Sequence, residues 1–147
     1  MGFTEAIQSG FRNYVTFSGR AARSEYWYWT LFAFLASIGG EILDAITGGA
    51  GLINVAVALG LFLPALSVAV RRLHDLDRSG WWYLIILIPL IGLIVLIVWF
   101  VTRGTPGPNR FGPDPLSNPG GGGGWAAPAP DTGRYAASSV PPVGRKP

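Results

Sequence analysis

The densest run of chemistry-bearing residues is RRLHDLDRSGWW, at 71–82. A neighbouring imidazole and carboxylate can exchange a proton near neutral pH, so His74 and Asp75 form a candidate acid–base pair. Arg71, Arg72 and Arg78 could hold an anion beside it. The competing reading is a tight helical hairpin whose charges pair internally and whose cations meet lipid head groups. A second polar run, 17–27, contributes Arg20, Arg23 and Glu25. The third set, Glu41 and Asp44, sits in an apolar stretch, where a carboxylate must be paired, protonated or near an interface. The chain has one histidine and no cysteine. That composition excludes disulfides and Cys-ligated zinc and argues against a transition-metal site, so no cofactor is expected. No P-loop, GxGxxG opening a helix after a strand, HExxH or GxSxG is present.

The elements that must position these groups are apolar. Half of the 147 residues are hydrophobic and 13% are charged, about half the charge of an ordinary soluble domain. Residues 81–101 carry no charge, and 21 helical residues span about 30 Å, the thickness of a bilayer core. Fifteen of residues 84–101 are Leu, Ile, Val or Phe, which favours insertion by about 5–9 kcal/mol. Residues 52–70 form a second uncharged run, interrupted by Asn54 and Pro64. Residues 26–46 form a third, in which Glu41 and Asp44 fall near the far end. Aromatic clusters at Tyr26–Trp29 and Trp81–Tyr83 fit interfacial belts. Phe3, Ile7, Phe11 and Tyr14 recur at helical spacing, as in a short amphipathic helix on the membrane surface.

The expected fold is therefore an all-α membrane protein. It has three transmembrane helices, at about 26–46, 52–70 and 81–101, and an N-terminal interfacial amphipathic helix. Residues 1–116 form the membrane domain. Residues 117–147, with five consecutive glycines and many prolines, are expected to be a disordered tail. Ser24 and Ser79 are candidate helix caps. Pro64 and Pro89 invite kinks at similar depth, and Gly39, Gly40, Gly60 and Gly92 would allow close helix approach.

Basic residues near segment ends set orientation. Arg12, Arg20, Arg23, Arg71, Arg72 and Arg78 lie on one predicted side, against Arg103 and Arg110 on the other. The amino terminus is thus expected in the cytoplasm and the tail outside. That topology places Glu41, Asp44 and Arg103 together as a candidate outer ion pair. It gathers Arg20, Arg23, Arg71, Arg72 and Arg78 as candidate anion or lipid head-group contacts. Glu25, His74, Asp75 and Ser79 form a candidate structural polar cluster on the same side.

The combination of FSGRAARSEYW (17–27), RRLHDLDRSGWW (71–82), IPLIG (88–92) and GTPGPNRFGPDP (104–115) resembles the domain-of-unknown-function 805 family of bacterial membrane proteins. Four separated motifs in one order carry the likeness, over about residues 8–116. The resemblance implies a small multi-helix protein of the bacterial inner (plasma) membrane and implies no reaction. It marks Asn109, Arg110, Phe111, Gly112 and Asp114, beside the residues above, as family-typical positions.

Three functions follow as expectations. The first is a non-enzymatic membrane protein acting through lipid, a membrane-protein partner or a homo-oligomer, with no role for nucleic acid. The second is a subunit of a small transporter or channel. The third is an interfacial enzyme using His74 and Asp75, which requires those side chains to share an open cavity.

Overall fold

The computed structural model describes residues 1–117. The expected tail, apart from Ser117, lies outside the described residues. Among the described residues there are four α-helices and one 3-10 segment: α1 (Phe3–Arg12), α2 (Arg23–Thr47), α3 (Leu52–Asp75), the 3-10 segment Gly80–Leu87, and α4 (Ile91–Val101).

Helices α2 and α3 are the long apolar runs, at about 38 and 36 Å by the usual rise per residue. Both exceed the hydrocarbon thickness of a bilayer, about 30 Å. Only 11% and 22% of their most apolar stretches are buried, so neither is the core helix of a soluble domain. Gly48 closes α2 in the left-handed region, at φ 66°, where a side chain would be strained. The next helix is capped from across the turn. Asp44 accepts the amides of Ile53 and Asn54 at 3.0 and 2.8 Å, satisfying two orphan donors at the start of α3.

Pro64 sits inside α3, which continues through it. Proline has no amide to give the carbonyl four residues earlier. That carbonyl, on Gly60, is taken by the Tyr14 hydroxyl at 2.5 Å. Farther along the same face, Ser67 Oγ lies 2.8 and 2.6 Å from the carbonyls of Asn13 and Thr16. The linker between α1 and α2 thus runs beside α3. Helix α1 packs on α2 through Phe11, edge-on to Trp29 at 5.3 Å, and Phe3, edge-on to Tyr28 at 6.0 Å. Gly10 makes room for Trp29, since a Cβ there would fall 2.1 Å from the indole.

The third apolar run departs from expectation. It is not one helix over 81–101 but two short limbs that double back. The 3-10 limb is about 16 Å long at about 2 Å per residue, and α4 is about 16 Å at 1.5 Å per residue. Neither limb reaches across a bilayer. The turn centres on Leu90, at φ 62° and ψ −58°. The Ile91 amide donates to the Pro89 carbonyl at 2.7 Å, which makes a γ-turn of the rare, strained kind. Past it, Gly92 lies so close to the 3-10 limb that a Cβ would fall 1.7 Å from the Ile85 carbonyl oxygen. Trp82 and Trp99, at the open ends of the two limbs, meet edge to face at 5.8 Å. Both limbs rest on α3, around a small core of Ala69, Leu73, Leu96 and Phe100 with Tyr26, Tyr83, Ile85 and Trp99 against it.

This reversal has one large consequence for the site. Residues 102–117 return to the end of the molecule that holds the start of α2 and the end of α3.

Candidate functional site

The site is a buried polar network at that shared end. Helix α3 runs five residues beyond the expected limit of 70, to Asp75, and carries Arg71, Arg72, His74 and Asp75 on it. A Schellman-type ending follows, with the amides of Arg78 and Asp77 donating to the carbonyls of Leu73 and His74 at 3.0 Å. Asp77 takes φ 56° there, a left-handed position that aspartate tolerates better than most residues.

Asp75 is the centre. Arg20 donates to Oδ1 through Nε at 3.0 Å, with a second guanidinium nitrogen 2.9 Å away. Arg72 pairs with Oδ2. The three side chains are 1%, 5% and 0% exposed for Arg20, Asp75 and Arg72, so the triad is dry. Two cations around one carboxylate leave spare N–H groups, and each guanidinium spends them on backbone carbonyls. Arg72 donates to Phe100 at 3.3 Å and to Thr102, closing the C-terminal end of α4, where positive charge is favoured. Arg20 donates to Thr105 and Gly107 at 2.5 and 2.6 Å. The segment 104–115 is thereby strapped across the helix ends. Gly104 is required for the fit, because a Cβ there would lie 1.9 Å from Asp75 Oδ2.

A second pair flanks the triad. Arg71 meets Glu25 at 2.8 Å, and Ser9 donates to the same Glu25 oxygen at 2.8 Å. One carboxylate on α2 thus joins α1 to α3. Arg71 Nε is buried with no partner among the described residues. His74 Nδ1 lies 3.1 Å from the Gly19 carbonyl. A carbonyl only accepts, so Nδ1 carries the proton in this contact. The imidazole stacks on Phe111 at 3.9 Å with the planes 3° apart, and Asn109 donates to the His74 carbonyl at 2.8 Å. The strap is held by Asp114, which accepts the amides of Leu116 and Gly107 at 2.9 and 3.1 Å. Those bonds, Leu116 first, hold its carboxyl below the usual carboxylate range.

Several expectations are corrected here. Arg20, Arg71 and Arg72 are buried and paired, so they are not free head-group contacts. Burying a guanidinium is costly unless it is paired and fully hydrogen-bonded, and this network does both for Arg20 and Arg72. Arg23 is exposed, and Arg78 lies half-buried over the Trp99 ring at 4.2 Å. Glu25, His74 and Asp75 do share a cluster. Ser79 does not cap with its side chain, and Ser24 lies inside α2, whose N-cap is Ala22. The outer ion pair does not form. Asp44 caps α3 and Glu41 bonds Asn54. Arg103 returns with the hairpin to the opposite end, one residue past the Thr102 carbonyl that Arg72 holds. The acid–base reading fails its geometric condition, since Asp75 is engaged by two guanidiniums and His74 is stacked under the strap. Among the described residues, no three His, Asp or Glu side chains converge as a metal site would need.

The network uses all four sequence motifs at once: 17–27 through Arg20 and Glu25, 71–82 through α3, and 104–115 as the strap, with 88–92 making the turn that returns it. The family model described as "Protein of unknown function (DUF805)" matches residues 14–113. This chain belongs to the DUF805 family. Inner membrane protein YhaH of Escherichia coli (strain K12) is 45% identical over 113 residues, covering 74% of this chain and 93% of YhaH. Inner membrane protein YhaI of the same strain is 49% identical over 108 residues, covering 71% of this chain and 89% of YhaI. A more distant relative, uncharacterized protein YiiR, is 26% identical over 95 residues, or 60% of this chain and 55% of YiiR. No solved structure matches significantly. With inner-membrane DUF805 relatives and two long apolar helices, the chain is a membrane protein.

Sequence reasoning missed the roles of Ser9, which ties α1 to Glu25 on α2, and of Asn13, Tyr14 and Ser67, which tie the amino-terminal segment to α3. Tyr14 was traceable in principle: an intrahelical proline leaves a carbonyl that some donor must satisfy.

Proposed function

We propose that this DUF805 member is a multi-pass inner-membrane protein, amino terminus in the cytoplasm, that works without catalysis by gathering anionic lipid at its cytoplasmic face. One observation carries the reading: the charge left over at the networked end. Seven arginines (20, 23, 71, 72, 78, 103 and 110) stand there against Glu25, Asp75, Asp77 and Asp114, an excess of three positive charges. The buried carboxylates are consumed by Arg20, Arg71 and Arg72. Arg23 and Arg103 are exposed, and Arg78 makes no ion pair among the described residues. Exposed Trp27, Tyr28, Trp81 and Trp82 occupy the same end, as an interfacial belt does. The opposite turn, 48–51, has no basic residue. Each cation near an anionic leaflet contributes about 1 kcal/mol of attraction.

The test is reconstitution of the full chain in phosphatidylcholine membranes doped with phosphatidylglycerol, followed by analysis of the lipid retained around the protein. Phosphatidylglycerol should be enriched, and the triple variant Arg23→Gln, Arg78→Gln, Arg103→Gln should lose most of that enrichment. Unchanged enrichment in a folded triple variant would end this reading. The buried arginines are unsuited to the test, because replacing them breaks the fold.

A further inference from the structure

A groove of about 470 Å³ lies between α3 and the 3-10 limb. Its α3 wall is Leu66, Val70 and His74, spaced i, i+4, i+8, one stripe about 12 Å long. The facing wall is Ser79, Tyr83 and Leu84. Gly80 brings the limb against α3, since a Cβ there would lie 2.6 Å from Val70 Cγ1. His74 and Ser79 stand at the networked end of the lining, with Tyr83, Leu66 and Leu84 beyond them, and most of the lining is apolar. Arg78 precedes Ser79 in the chain and holds its guanidinium over Trp99 at 4.2 Å, with no carboxylate partner among the described residues.

We infer that this groove is a site for one anionic phospholipid, with an acyl chain along Leu66 and Val70 and the phosphate at the end formed by the Ser79 hydroxyl and the neighbouring Arg78. The polarity gradient runs along α3, which is the axis of the membrane, and matches a lipid's own order of head and tail. A packed helix is about 10–12 Å across with its side chains and would need a broader face than one stripe of three residues. The charge at the polar end selects an anionic head over a zwitterionic one. The site rests on the lipid-gathering reading for its choice of head group, but it makes a separate demand: one molecule, in one place, removable by filling the groove.

The experiment is native mass spectrometry of the full chain, released from detergent after exposure to phosphatidylglycerol or phosphatidylcholine. The wild type should retain a single phosphatidylglycerol. Val70→Phe and Leu66→Phe each project into the groove from half-buried positions and should lower that occupancy at least tenfold, with melting temperature as the check on folding. Leu84→Trp fills the groove from the exposed limb and serves if the α3 variants do not fold. Arg78→Gln should lower the preference for phosphatidylglycerol severalfold while leaving the groove able to hold a chain. Undiminished single-lipid retention in the filled, folded variants overturns the site. So does equal retention of phosphatidylcholine by the wild type, or a dimer that the filling variants break. If the filled variants lose the single lipid yet keep general phosphatidylglycerol enrichment, both readings stand. Loss of general enrichment in the Arg23, Arg78, Arg103 variant leaves the site to be judged by the filling variants alone.

Discussion

Replacing Asp75 by alanine should be among the most damaging single changes in the chain. Its carboxylate is the counter-charge for both Arg20 and Arg72, whose side chains are 1% and 0% exposed. Deleting it leaves two like charges facing each other in a site that water does not reach. Breaking a buried ion pair by removing one partner costs about 3–5 kcal/mol. At about 4 °C per kcal/mol for a domain of this size, the melting midpoint in mild detergent should fall by about 12–20 °C. The strap should loosen as well, because Arg20 holds Thr105 and Gly107 only while it is itself held. Protease cleavage between 104 and 115 should therefore rise. Asp77→Asn is the control, since asparagine removes the charge and keeps the tolerance for the left-handed φ of 56° at this position. Asp77 also pairs with an arginine, Arg110, at 3.2 Å, but those side chains are 47% and 60% exposed. Exposed pairs contribute about 0–1 kcal/mol, so its midpoint should move by less than about 4 °C. If the two substitutions shift the midpoint equally, the dry triad is not what joins the strap to the helix ends.

Three further outcomes follow from particular contacts. Tyr14→Phe leaves the Gly60 carbonyl without its donor beside Pro64 and should cost about 1–3 kcal/mol, read by thermal unfolding; a neutral result would mean that another group satisfies that carbonyl. Gly92→Ala should destabilise by about 1–3 kcal/mol through the clash with Ile85, whereas Gly60→Ala, which meets nothing within 4 Å, should be neutral or stabilising by up to about 1 kcal/mol; a straight helix over 81–101 predicts that both are harmless. Asp114 has a folded pKa below its unfolded one, so its contribution is fully present above the unfolded value and lost as pH falls through the folded value. Wild type and Asp114→Asn should accordingly differ by a constant amount from pH 7 to about 5 and converge only in stronger acid; a gap that persists at the lowest pH would contradict the assignment.

The long helices were readable because hydrophobic length is a one-dimensional property. Expected spans of 26–46 and 52–70 became Arg23–Thr47 and Leu52–Asp75. The extra turn on α3 was hidden because Arg71 reads as a loop cation until its carboxylate partner Glu25, 46 residues away, is known. The third run shows the opposite limit. Its 21 uncharged residues satisfy any hydropathy criterion, yet whether Pro89 kinks a helix or starts a reversal depends on what Gly92 and Trp99 meet. Those contacts come from Ile85, Trp82 and α3, and no local pattern encodes them. Once the run was taken as a crossing, Arg103 fell on the wrong side and was assigned to Glu41 and Asp44. The gathering of Glu25, His74 and Asp75 was visible because it needed only the antiparallel pairing of α2 and α3. The burial of Arg20 was not, because the strap that covers it arrives only through the reversal.

The central claim is that the third apolar run turns back, so that residues 18, 77 and 117 all face one compartment. The chain contains no cysteine, so single cysteines at Ser18, Asp77, Ser117 and Ala50, all exposed, can be probed in intact cells with a membrane-impermeant maleimide. Labelling at residue 50 alone, with residues 18, 77 and 117 reached only after the cells are opened, is the predicted result. Residue 117 labelled from outside together with residue 50 would mean that the run crosses the membrane, and the strapped network could not exist.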